Sequence, residues 1–153
     1  MSRKDRPESE PSGGADRMLR FTIANDLTHV CRANEVLEEF LQRWNIPPEA
    51  VYSTVLALEE VVTNIIKYAY ADSSGHEIQV ETQIGEDEVV LRISDDGREF
   101  DILSAPPPPL DRPLEERPTG GLGIHLVRSL ARRIEYARAG GRNVLLLSIA
   151  KNP

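Results

Sequence analysis

Glu60 and Asn64 stand one helical turn apart in an apolar stretch, Val55 to Ala69, whose hydrophobic residues recur at helical spacing. Residues four apart share a helix face. An amide oxygen on that face can ligate Mg²⁺, a hard cation that keeps several of its waters. A carboxylate one turn earlier can take a proton or orient a water beside it. Taken alone, such a pair commonly marks no more than a solvated face. Glu59, next door on a different face, reads as solvated.

Two further groups join it. Asp95-Asp96-Gly97 follows the strand-like run Val89-Val90-Leu91-Arg92-Ile93. A carboxylate at a strand end can accept a hydrogen bond from an exocyclic amine such as adenine N6. Gly97 lets backbone approach a flat ring closely, although Asp-Gly by itself is also a strong turn signal. Gly120-Gly121-Leu122-Gly123 opens a helical stretch after a Pro-rich segment, and the free N–H groups of a helix start attract phosphate. By itself that piece reads equally as a flexible linker into a helix. The dinucleotide-binding glycine pattern is incomplete, because Leu126 stands where its third glycine belongs. No P-loop is present, nor are the catalytic and metal-binding loops of the common protein-kinase fold. His29, His76 and His125 show no metal-ligand spacing and read as surface or helix-end residues. Arg128, Arg132 and Arg133 read as a solvated basic face of the last helix, and Trp44 as core.

These groups need elements to hold them. Residues 1–17 carry Pro7, Pro11, Gly13 and Gly14 among charged residues and are expected to be a disordered tail, since they cannot bury enough surface to offset ordering entropy. Leu19, Phe21 and Ile23 alternate, which predicts a strand from Met18 to Leu27. Thr28 is a candidate cap for a helix running to Trp44. Pro48 suits the first turn of a second helix, with Val51, Val55, Leu58, Val62, Ile65 and Ile66 as its stripe. Ile78–Ile84 and Val89–Ile93 read as a hairpin. About 101–119 holds six prolines, four of them consecutive, so it is neither helix nor central strand and is expected to be a long loop acting as a lid. A third helix, Leu122 to Arg133, and strands Ile134–Ala137 and Asn143–Ala150 around Gly140-Gly141 complete the order. Residues 18–153 are therefore expected to form one α+β domain, with helices on one face of a mostly antiparallel sheet.

Composition narrows the setting. The chain has 153 residues, 40% of them hydrophobic, and a net charge of −7. That suits a single core and argues against direct nucleic-acid binding. Cys31 is the only cysteine, so no intramolecular disulfide can form. No apolar run approaches the ~20 residues of a membrane span, and the N-terminus lacks a signal-peptide core. The expectation is a cytoplasmic protein that does not enter a membrane.

Taken in order, the motifs resemble the GHKL ATPase superfamily, the clan of histidine-kinase ATP domains, gyrase, Hsp90 and MutL. Glu60…Asn64 resembles its N box, Asp95-Asp96-Gly97 its first glycine box and Gly121-Leu122-Gly123 its second. Within the clan, Ala57 through Asn64, Tyr68-Ala69-Tyr70 and Gly120 through Val127 look most like the bacterial anti-sigma-factor serine kinases. The resemblance spans about residues 19–150. It implies a two-layer α/β sandwich of the Bergerat type, with ATP between the helical layer and the lid. It further implies that Asn64 ligates Mg²⁺, that Glu60 is the catalytic base for a partner's serine, and that Asp95 binds the adenine amine with Gly97 at the ring. Gly121, Leu122 and Gly123 would line the phosphates. Such kinases regulate transcription as homodimers: they sequester a sigma factor and phosphorylate an anti-anti-sigma protein. The alternative is an ATP-binding regulatory module that holds a partner without phosphotransfer. Glu99 stands where the first glycine box often has a second glycine. Arg142-Asn143 occupies the region where the clan often has a threonine that binds an adenine-linked water. Arg117 is the nearest lid candidate for the γ-phosphate. No histidine-bearing dimerisation helix precedes the domain, so a full sensor histidine kinase is not expected, and with only one domain neither is gyrase- or MutL-like work.

Overall fold

The computed structural model describes residues 17–72, 74–104, 111, 113 and 121–153. Almost all of the expected tail, most of the expected lid, and Arg117 and Gly120 lie outside the described residues. The elements are β1 (Met18–Ala24), α1 (Val30–Arg43), α2 (Pro48–Tyr68), β2 (Glu77–Ile84), β3 (Glu88–Asp95), α3 (Gly121–Leu130), β4 (Arg133–Ala139) and β5 (Arg142–Ala150), with short 3-10 turns at Leu27–His29 and Ile102–Ser104. The five strands form one sheet in the order β1-β2-β3-β5-β4, and every neighbouring pair is antiparallel. The α+β sandwich anticipated from the sequence is the observed fold.

Sheet and helices meet through alternating side chains. On β2, Ile78, Val80, Thr82 and Ile84 are buried; on β3, Val89, Leu91, Ile93 and Asp95; on β5, Asn143, Leu145, Leu147 and Ile149. Alternate positions of one strand share a face, so these residues form the inner face. Against it pack Leu37 and Leu41 of α1 and Ala57, Leu58, Val61 and Val62 of α2. Leu37, Leu41 and Leu58 are fully buried; burying a side chain of that size contributes about 1.5–3 kcal/mol. Thr54 lies in the same stripe and satisfies its hydroxyl by donating to the Ala50 carbonyl at 2.7 Å.

The ends of the elements have local causes. Pro48 opens α2 at a position where its missing N–H is not needed. Asn45, with φ 54°, turns the chain between α1 and α2. Gly140 and Gly141, both at positive φ, make the tight turn of the β4–β5 hairpin. Four local expectations are corrected. The strand ends at Ala24 and not Leu27, and it is Asp26, not Thr28, whose side chain accepts an N–H at the following turn; α1 itself begins with no side-chain cap. The third helix stops at Leu130, so Arg132 and Arg133 are not on it. They pair with Glu88, while Arg128 donates to the carbonyls of Ile102 and Leu103 at 2.9 and 2.7 Å. Trp44 is only partly buried at the core's edge, with the Arg17 guanidinium 5.3 Å from its ring.

Candidate functional site

Two of the chain's three chemical motifs, through Asn64 and Asp95, contribute to one pocket. Its apolar walls come from Val61 and Ile65 of α2, Ile93 and Leu145 of the sheet, and Ile124 of α3; Asn64, Asp95 and Asn143 add polar groups. A mostly apolar cleft with a few convergent polar groups suits a small ligand with a flat ring.

The start of α3 lies against the Glu60–Asn64 face. A Cβ on Gly123 would collide with the Glu60 carboxylate, which would have to swing aside, and would stand 3.4 Å from Asn64 Nδ2, so Gly123 lies directly against these two side chains. Gly121 and Leu122 form the first turn of that helix. Asn64 Nδ2 donates to the Glu60 carbonyl at 2.8 Å. This turns its NH₂ group to the protein and leaves the amide oxygen for a ligand, which fits a hard cation. Among the described residues no cluster of three or more His, Cys, Asp or Glu could hold a metal. The Asn64 oxygen would hold such a cation.

At the other wall, Asp95 is 3% exposed at the end of β3. Its Oδ1 accepts the Gly97 N–H at 2.9 Å and Asn143 Nδ2 at 3.0 Å. The register pairs Asp95 with Asn143 across β3 and β5, which sets the two side chains together. Gly97 is required by the protein itself: a Cβ there would stand 2.6 Å from the Ala69 Cβ and 2.7 Å from its carbonyl oxygen. Arg98 N–H donates to that same carbonyl at 2.9 Å, so the Asp95–Gly97 turn is sewn to the end of α2.

A cluster missed in the sequence backs this turn. His76, just before β2, stacks on Tyr70 with ring centroids 4.2 Å apart. Its Nε2 lies 2.7 Å from Asp72 Oδ1 and its Nδ1 3.1 Å from Asp96 Oδ1. Carboxylates only accept, so both ring nitrogens donate when the ring is protonated. The Asp72 and Asp96 side chains accordingly raise the His76 pKa above its ordinary 6.5, and the same bond lowers that of Asp72. Burial, and then Asp95 and Asp96, push Tyr70 well above its usual value, so its phenol stays neutral. A raised histidine pKa stabilises the fold fully below the ordinary value and loses that effect as pH rises through the folded value. The difference in melting temperature between wild type and His76→Phe, which keeps a stacking ring, should therefore be largest below about pH 6.5 and shrink toward alkaline pH. A difference that does not change with pH would show that the ion pairs contribute nothing.

Of the residues singled out in the sequence, Glu60, Asn64 and Gly123 come together, and Asn64 and Asp95 line the same pocket. Asn143 was noted only as a departure from a pattern, and Tyr136 and Arg138, which bond its amide, were missed. A signal existed for Asn143: it is in phase with Leu145, Leu147 and Ile149, a polar residue at an inward position.

Comparison with known proteins agrees with this architecture. The family of histidine kinase-like ATPase domains matches residues 23–149. The serine/threonine-protein kinase BtrW of Bordetella bronchiseptica is 30% identical over 102 residues, covering 67% of this chain and 72% of its own length. The serine-protein kinase RsbW of Listeria innocua is 30% identical, covering 64% and 65%. RsbW of a Bacillus cereus strain is 32% identical over 95 residues, covering 60% and 59%. These matches thus span between 59% and 72% of the relatives' lengths. The crystal structure of the RsbU and RsbW domains of Rv1364c from Mycobacterium tuberculosis shares the fold, with TM-score 0.59 and 16% identity over 86% of this chain and 32% of that one. No helix among the described residues is long and apolar enough to cross a membrane. With its antiparallel sheet, its helical layer and a family match over most of its length, the chain belongs to the histidine kinase-like ATPase domain family.

Proposed function

We propose that this chain is an ATP-dependent protein-serine kinase and anti-sigma factor, which sequesters a sigma factor and phosphorylates an anti-anti-sigma partner. The observation that carries the reading is the convergence of Glu60, Asn64 and Gly123 at one end of a pocket whose other wall holds Asp95. The names of the serine-kinase relatives support it. On this reading Asp95 accepts the adenine amine, the apolar walls hold the ring, and the first turn of α3, Gly121 to Gly123, meets the phosphates through its N–H groups. Mg²⁺ on the Asn64 oxygen supplies charge neutralisation at the phosphates when bound. Glu60 takes the proton from a partner serine hydroxyl as its oxygen bonds to the γ-phosphorus. The bond from that phosphorus to the β–γ bridging oxygen breaks, giving phosphoserine and ADP. We further propose that residues 18–153 form the ATP-binding domain, that about 101–119 is its lid, and that the protein works as a cytoplasmic homodimer.

The test is to incubate purified protein with γ-labelled ATP, Mg²⁺ and candidate partners encoded beside it. Label on a partner serine is expected. Nucleotide retained without transfer to any cognate partner would instead favour a regulatory module that holds its partner. Asn64→Ala should abolish Mg²⁺-dependent nucleotide binding while leaving α2 intact. Calorimetric titrations with and without Mg²⁺ check this, and a wild-type magnesium dependence would remove Asn64 as the ligand.

A further inference from the structure

Asn143 is the first inward-facing residue of β5 and is 6% exposed. Its Nδ2 donates to Asp95 Oδ1 at 3.0 Å and to the Arg98 carbonyl at 2.8 Å. Its Oδ1 accepts from the Tyr136 hydroxyl at 2.7 Å, the Arg138 guanidinium at 3.1 Å and the Phe100 N–H at 3.3 Å. Those partners define which way the amide points. The nitrogen faces only acceptors, and the oxygen faces two groups that can only donate and a hydroxyl that does so; reversed, N–H would oppose N–H. Arg138 also donates to the Gly97 carbonyl at 2.7 Å, so one network holds β4, β5 and the Asp95–Gly97 turn.

The consequence falls on Asp95. Its Oδ1 is occupied by Gly97 and Asn143, and no described residue donates to Oδ2. The buried side chain borders the apolar pocket. We propose that Asn143 is a positioning residue for base recognition, pinning one oxygen of Asp95 so that the other is a fixed acceptor for an exocyclic amine in the pocket. This rests on the reading of the pocket as an ATP site. A fixed acceptor meets the 6-amino group of adenine as a partner, and meets the 6-oxo group of inosine or guanine as a second acceptor. A carboxylate free to turn would relax toward the ring N–H that a 6-oxo purine carries, and discrimination would fall. Asn143 thus acts on which base is chosen through Asp95.

Asn143→Asp tests this directly. It keeps the size of the side chain and an oxygen for Tyr136, Arg138 and Phe100. It also sets a second carboxylate oxygen against Asp95 and the Arg98 carbonyl. Calorimetry with ATP and with inosine triphosphate, both with Mg²⁺, reads the affinity and the ratio between the two bases. At neutral pH the variant should lose about tenfold or more in ATP affinity, and its ratio should fall toward one. Two carboxyls at this distance share a proton as pH falls, which restores a donor to Asp95, so affinity and ratio should recover in acid. The wild type should show no such recovery. Asn143→Ala should lose the ratio at every pH, and it carries the comparison if circular dichroism shows that the first variant does not fold. Either folded variant with wild-type affinity and ratio would overturn the role of Asn143 and leave the ATP site standing. A wild type that binds no ATP would overturn both.

Discussion

Replacing Glu60 by glutamine is expected to slow phosphotransfer to a partner serine by about 10²–10⁴-fold, the usual contribution of a general base. The amide keeps the volume of the side chain, which matters because Glu60 lies against Gly123 at the start of α3. It cannot accept the serine proton. ATP affinity should change little, since Glu60 stands a helical turn from the Asn64 oxygen and is not among the residues lining the apolar pocket. Partner binding should survive as well, because holding a protein surface does not need transfer. Single-turnover transfer of label, measured beside nucleotide affinity, separates these effects. Rapid phosphorylation by Glu60→Gln would mean that another group takes the proton.

Asp95→Asn should weaken ATP binding by about 10- to 150-fold, the loss of a charge-assisted hydrogen bond worth roughly 1.5–3 kcal/mol. Structure makes the prediction specific. Asp95 Oδ1 already takes the Gly97 N–H and Asn143 Nδ2, so an asparagine there must keep its oxygen on that side. Its NH₂ group then points where Oδ2 was, donor against the donor amine of adenine. The fold should hold, because the bonds that sew the turn to β5 are retained. The same change should improve binding of a 6-oxo purine nucleotide relative to ATP. An unchanged ATP affinity by calorimetry would remove Asp95 from the site.

Much of this protein was legible in its sequence because local periodicity reports which face of an element is buried. The stripe of Val51, Leu58 and Val62 identified α2, and a helix turn alone is enough to put Glu60 and Asn64 on one face. Alternation identified β3 and β5, and Gly140-Gly141 marked the hairpin that joins β4 to β5. These are properties of neighbours along the chain.

What only the tertiary structure decided is which distant residues meet. The register of β3 with β5 brings Asn143 to Asp95, forty-eight positions away. No periodicity encodes that register, which is set by the whole inner face packing on α2. Gly123 reads in sequence as a helix-start glycine for phosphate; in the fold it also lies directly against the Glu60 and Asn64 side chains. Gly97 reads as a turn, yet Ala69 is what excludes a side chain there. His76 looks isolated in sequence, because its partners Asp72 and Asp96 come from either side of the β2–β3 hairpin. In each case the sequence specified an element and its buried face from short-range pattern, while side-chain partnership waited on the packing of sheet against helices.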